Sequence, residues 1–168
     1  MRHSHTTPYP SSYYDDEMCL KPPLMLWLAV LFLSRGLTLP IAMGIGHYAG
    51  VDSRALDAIR AYWSADSLLP ALIAVVILYV LCRRSPNSHR WVRWIWARGQ
   101  ILLAASAILD IGLLLTSAVH QGEIINSSLS SIAAAAVDLY FLVYILAAPR
   151  ARDSFAEFPA PLDKLKKP

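Results

Sequence analysis

Arg35 is the residue that most constrains this chain. It interrupts an apolar run that extends from Leu24 to Ile45. If that run is a helix, Arg35 lies about 16 Å from the cationic boundary at Lys21 to Leu24. That depth is close to the middle of a bilayer. An isolated charge there costs roughly 2.5 to 3.5 kcal/mol on insertion scales, so the rest of the chain has to supply a partner. Two candidates stand out. Asp110 and Asp138 each lie ten residues into an apolar run, counted from Gln100 and Ser128.

Composition agrees with a membrane setting. Of 168 residues, 56% are hydrophobic and 16% charged, against about 25% charged in soluble domains. The charges are also segregated, leaving long stretches almost free of them. The chain has room for about four spans of ~20 residues each. The predicted fold class is all-α, a polytopic four-helix transmembrane bundle. Its spans are expected at about 24–45, 67–82, 100–119 and 128–148, within a domain of residues 21–149. Residues 1–20 are expected to be a disordered cytoplasmic tail and 150–168 a second cytoplasmic tail. The leading segment carries Asp15, Asp16 and Glu17, and no small-residue cleavage site follows the first apolar run. That pattern is unlike a signal peptide. Cys19 and Cys82 are too few for a disulfide framework and are expected to be small apolar filler.

Within the first span, Pro22 and Pro23 suit the mouth of a helix. Pro40 removes the hydrogen bond to the Gly36 carbonyl, and the glycine eases the ring clash, so a kink is expected at Gly36 to Pro40. Residues 46–66 read as a connection holding a short amphipathic surface helix, with Trp63 in the headgroup layer. Asp66 or Ser67 is expected to cap the second span, whose 15 apolar residues reach only about 23 Å.

Residues 83–99 form a basic loop carrying Arg83, Arg84, Arg90, Arg93 and Arg98, with no acidic residue and with Trp91, Trp94 and Trp96 interleaved. Arginine and tryptophan in alternation also suit nucleic acid. Between two spans, contact with anionic headgroups is the better reading, and nucleic acid is not an expected partner. Lys21, Trp27 and Arg150 complete the expected set of interface anchors. The loop after the third span has no lysine or arginine. The segment after the fourth has Arg150, Arg152, Lys164, Lys166 and Lys167. The positive-inside rule therefore places both termini in the cytoplasm.

Three charges near one depth are resolved most simply if Arg35 faces the bundle interior and bonds Asp110, Asp138 or both, since a guanidinium can hold two carboxylates. Ser34, Thr38, Ser106, Thr116, Ser130, Ser131, Tyr140 and Tyr144 are candidates to extend the network. The preferred reading is a buried ion cluster that sets helix register. The alternative is a proton or ion relay. His3 with His5, and His47 with His120, are weak metal candidates, and no metal or other cofactor is expected. No nucleophile stands beside a plausible base, so the chain is expected not to be an enzyme. Beyond the lipid bilayer, the expected partners are another membrane protein or further copies of the chain.

Tyr14-Asp15-Asp16-Glu17-Met18-Cys19-Leu20-Lys21-Pro22-Pro23, followed by Leu26-Trp27 and Phe32-Leu33-Ser34-Arg35, resembles the start of the YfeZ-like family of bacterial inner-membrane proteins. The resemblance is most specific over residues 13–35. It implies a short four-span protein of the bacterial inner membrane and no particular reaction. The resulting expectation is an integral inner-membrane protein of unknown biochemical activity, an accessory or structural subunit of a membrane complex. The alternative is a small transporter or ion-conducting protein that uses the Arg and Asp cluster.

Overall fold

The computed structural model describes residues 9–14, 19–50, 52, 54, 56, 67–120 and 128–159, with the backbone alone at 117–120 and 128–131. Among these residues the fold is all-helical, with seven α-helices and no strand. One isolated bridge pairs Tyr14 with Leu20.

The first apolar run forms two helices rather than one. Helix α1 (Leu24–Leu33) and helix α2 (Arg35–Tyr48) are bent by 75° at Ser34. This corrects the expected kink at Gly36 and Pro40, because α2 continues through Pro40 as a helix. Ser34 ends α1 with φ −80° and ψ 0°, and its hydroxyl donates to the Leu31 carbonyl at 2.8 Å. Its own carbonyl receives the amides of Leu37 and Thr38, which opens α2. A side chain that binds local backbone competes with the helical ladder and favours such a break. Gly36 then lies against the start of the next helix, where any Cβ would strike the Ser67 carbonyl. The bend is therefore placed by this close approach, and the ring of Pro40 is accommodated beyond it.

Helix α3 (Leu68–Cys82) matches the expected second span. Ser67 holds its N-cap position but makes no side-chain cap hydrogen bond there. The basic loop is not irregular throughout: it contains helix α4 (Arg90–Ala97). Helices α5 (Gly99–His120) and α6 (Ser128–Ala147) follow the expected third and fourth spans. Pro149 ends α6 but starts helix α7 (Pro149–Ala156), bent by 64° from α6. A first-turn proline needs no intrahelical donor, so it can start a helix as readily as stop one. The tail expected from residue 150 is thus ordered to Pro159, with Ala151, Ser154 and Phe155 buried.

Among the described helices, α5 alone is long and apolar enough to cross a membrane. Up to three spans result if each bent pair counts as one, and α3 is a shorter apolar helix. Four spans are thus not all evident among the described helices. At 15 residues α3 rises about 23 Å, short of the ~30 Å hydrocarbon layer.

Helix α6 packs along α5, α3 packs on α5, and α1 packs on α3. Leu26, Ala29, Val30 and Leu33 of α1 meet Ala74, Ile77 and Val80 of α3 in the core, with Leu103, Ala107, Phe141 and Ile145 behind them. The outward faces remain apolar. Leu28, Leu31, Leu72, Val76, Ile101, Ile108, Leu139 and Val143 are all exposed.

Residues far apart in sequence gather at one end of the bundle. Trp96 is fully buried, and its indole Nε1 donates to the carbonyls of Ser154 and Glu157 at 3.0 and 3.1 Å. Phe155 stacks at a tilt on the same ring, with centroids 4.8 Å apart. Arg84 donates to the Leu20 carbonyl at 2.8 Å and the Glu157 carbonyl at 3.2 Å. The amide of Leu20 donates to Glu157 Oε2 at 2.9 Å, and the Tyr9 hydroxyl donates to Asp153 Oδ2 at 2.8 Å. The described part of the N-terminal segment is therefore docked on the C-terminal one, where a free tail was expected. His3, His5, the acidic residues 15–17, Trp63 with most of its surface helix, the loop at 121–127 and the residues from 160 onward lie outside the described residues.

Candidate buried charge cluster

The bend at Ser34 sets Arg35 at the first position of α2. Its side chain folds back over α1, with Cζ 4.2 Å from the Phe32 ring centre and Nη1 donating to the Phe32 carbonyl at 3.2 Å. From there it reaches both aspartates. Nη1 and Nη2 donate to Asp138 Oδ1 and Oδ2 at 3.1 and 2.9 Å. The same Nη2 stands 2.7 Å from Asp110 Oδ2. The structure thus brings together all three charges placed near one depth. They come from α2, α5 and α6, so one guanidinium ties three helices.

Burial is strong on the acidic side. The side chains of Asp110 and Asp138 are 2% and 0% exposed, and that of Arg35 is 17% exposed. A planar fork that binds a carboxylate through two parallel bonds fixes orientation as well as charge. Asp138 takes that geometry. Asp110 meets Arg35 through Oδ2 alone, and among the described residues its Oδ1 is buried without a hydrogen-bond partner.

Four of the hydroxyls expected to extend the cluster bond elsewhere. Ser34, Thr38 and Thr116 donate to carbonyls of their own helical turns. Ser106 is buried and donates to the Pro70 carbonyl at 2.8 Å, pinning α5 to α3 one turn from Asp110. Tyr140 is exposed, and the side chains of Ser130 and Ser131 lie outside the described set.

The expected interface anchors divide into two groups. Lys21, Arg83, Arg90, Trp91, Trp94 and Arg98 are exposed. Arg98 lies over Trp94 at 4.2 Å, and Tyr79 stacks on Trp91 at 5.9 Å. Trp96 is not an anchor, because it is buried, and Arg84 is turned inward to two backbone carbonyls. The signal was present in the sequence: Val92 and Trp96 are four residues apart, on one face of a helix whose arginines point elsewhere. Trp27, Arg93 and Arg150 are half-buried. Arg93 donates to the Pro86 carbonyl, and Arg150 lies 4.0 Å over Tyr13. A groove of about 450 Å³ lined by Tyr79, Arg83, His89 and Trp91 opens at the far end of α3 from Gly36. Among the described residues, no group of three or more His, Cys, Asp or Glu could hold a metal ion. His47 is exposed, and the side chain of His120 is outside the described set.

A family model described as "Protein of unknown function (DUF2919)" matches residues 9–157. No curated protein and no solved structure matches the chain.

Proposed function

The chain belongs to the DUF2919 family, whose function is unknown, and from its own residues we propose that it is a non-enzymatic integral membrane protein that serves as an accessory or structural subunit of a membrane complex. In this reading α1 with α2, α3, α5 and α6 form four spans, the first of them broken and the second short. Both termini and the loop at 83–99 face the cytoplasm. The resemblance in residues 13–35 suggests the inner membrane of a bacterium.

One observation carries the structural reading. A single arginine engages two carboxylates on different helices, with both of its terminal nitrogens donating to them. Such a knot holds helix register in a medium where apolar packing discriminates weakly. Two other features support the membrane setting. The outward faces of α1, α3, α5 and α6 are apolar, as lipid contact requires. The basic loop and the described ends of the chain gather at one end of the bundle, in keeping with the arginine count. The apolar faces suit lipid together with a membrane-protein partner or further copies of this chain.

The alternative is ion or proton conduction through the same residues. It is favoured by the surplus of one carboxylate and by the unpartnered Asp110 Oδ1. A charge-neutral triple variant, Arg35→Gln with Asp110→Asn and Asp138→Asn, separates the two. The structural reading expects it to accumulate in membranes near the native level, because replacing a buried ion cluster as a unit is often neutral. Arg35→Ala alone should not accumulate. Arg35→Ala accumulating and folding like the native chain would defeat the structural reading.

A further inference from the structure

Charge does not balance in the cluster. One guanidinium faces two carboxylates, and among the described residues the neighbouring helices bring no second cation. Helix α1 has no ionisable side chain, and α3 has only Tyr79 and Cys82, both at its end distant from Gly36. Between Gly99 and Thr116, Asp110 is the one charged residue of α5. Helix α6 adds Tyr140 and Tyr144 beyond Asp138, and α2 adds His47 and Tyr48 at its other end. With both aspartates ionised, the site would hold a net negative charge in surroundings where an unpaired charge is strongly disfavoured.

The geometry shows where the compensation goes. Asp138 uses both oxygens on Arg35. Asp110 uses Oδ2 alone on Arg35, and among the described residues no donor is directed at its buried Oδ1. The two carboxyl groups meet at one nitrogen, Arg35 Nη2. We propose that the Arg35–Asp110–Asp138 cluster is a binding site for one exchangeable proton, carried by Asp110. Proton uptake from the aqueous phase converts the Asp110 carboxylate to a carboxylic acid, leaving Arg35 and Asp138 as a neutral bidentate pair.

This inference rests on the same cluster as the structural reading, but it is read by a different observable. The full chain is reconstituted in phospholipid vesicles at neutral pH, and infrared spectra are compared in H2O and D2O. The expected result is one carboxylic-acid carbonyl band that shifts on deuteration. It should vanish in Asp110→Asn and also in Asp138→Asn, because each variant leaves one carboxylate for one arginine. Absence of the band in the native chain overturns the proposal. Persistence of the band in Asp138→Asn also overturns it, since burial alone would then hold the proton. Membrane accumulation of the neutral triple variant is unaffected by either result, so failure here and failure of the structural reading are distinguishable.

Discussion

Arg35 and Asp138, 103 residues apart in the chain, meet through two parallel N–H···O bonds of 3.1 and 2.9 Å. The pair closes the bend at Ser34 onto the middle of α6. Asp110 joins it at 2.7 Å from α5. The fold around this contact yields several measurable outcomes.

Arg35→Ala leaves two buried carboxylates facing each other. Removing one partner of a buried pair costs about 3 to 5 kcal/mol, so membrane levels and the thermal midpoint in detergent should fall sharply. Adding Asp110→Asn or Asp138→Asn should recover much of the loss. Recovery from neither second change would show that the pairing contributes nothing to stability.

Gly36→Ala tests the close approach of α2 to α3. The added methyl would meet the Ser67 carbonyl and Ala71 Cβ, and overpacking of this kind costs about 1 to 3 kcal/mol. Gly112→Ala is the control, because nothing lies within 4 Å of its Cβ position. It should be neutral or stabilising by up to about 1 kcal/mol, the helix preference of alanine over glycine. Equal thermal midpoints for the two variants would contradict the packing at Gly36.

Trp96→Phe keeps an aromatic ring of smaller size and deletes the indole donor to Ser154 and Glu157. Leaving the Ser154 carbonyl short of its buried donor costs about 1 to 3 kcal/mol, while the Glu157 carbonyl keeps Arg84. Limited proteolysis should cut the segment after Pro149 faster than in the native chain. Trp91→Phe and Trp94→Phe, at exposed positions, should leave the cleavage rate unchanged.

The Tyr9 hydroxyl donates to Asp153, and that bond raises its pKa above 10.0. A raised folded-state pKa means that the contribution is fully present below the unfolded value and is lost as pH rises through the folded one. Docking of the N-terminal segment should therefore weaken in strongly alkaline solution. Proteolysis near Tyr9 should accelerate there in the native chain. In Tyr9→Phe the rate should be already raised and flat with pH; a native rate that stays flat would refute the bond's role.

The arginine distribution predicts that a reporter fused after residue 88 stays cytoplasmic, together with both termini. Periplasmic activity from that fusion would invert the topology.

Much of the fold was legible because its causes are local. The apolar runs at 100–119 and 128–148 became α5 and α6 with little change, since hydrophobic length is a property of each segment alone. The three-charge cluster was legible for a related reason: a charge amid hydrocarbon-seeking residues demands a partner, and few were on offer. The bend was misplaced. Pro40 and Gly36 are a local kink signal, yet the chain turns at Ser34, because Gly36 is pressed on Ser67 from another helix. Trp96 and Arg84 were misassigned for the same reason. A tryptophan or arginine beside a span suits headgroups equally well until α7 arrives to cover it.

By itself, then, the sequence determined where the long apolar segments lie and that they are helical, and which three charged residues interrupt them. Those are per-residue free energies of burial, and they do not depend on neighbours distant in the chain. Tertiary structure alone decided that Asp138 takes the bidentate bond while Asp110 keeps a bare oxygen, that Ser34 rather than Pro40 turns the chain, and that Trp96 faces inward. Each of these depends on which two surfaces are pressed together, and a carbonyl, a ring or a guanidinium has no fixed partner until the packing of other helices supplies one.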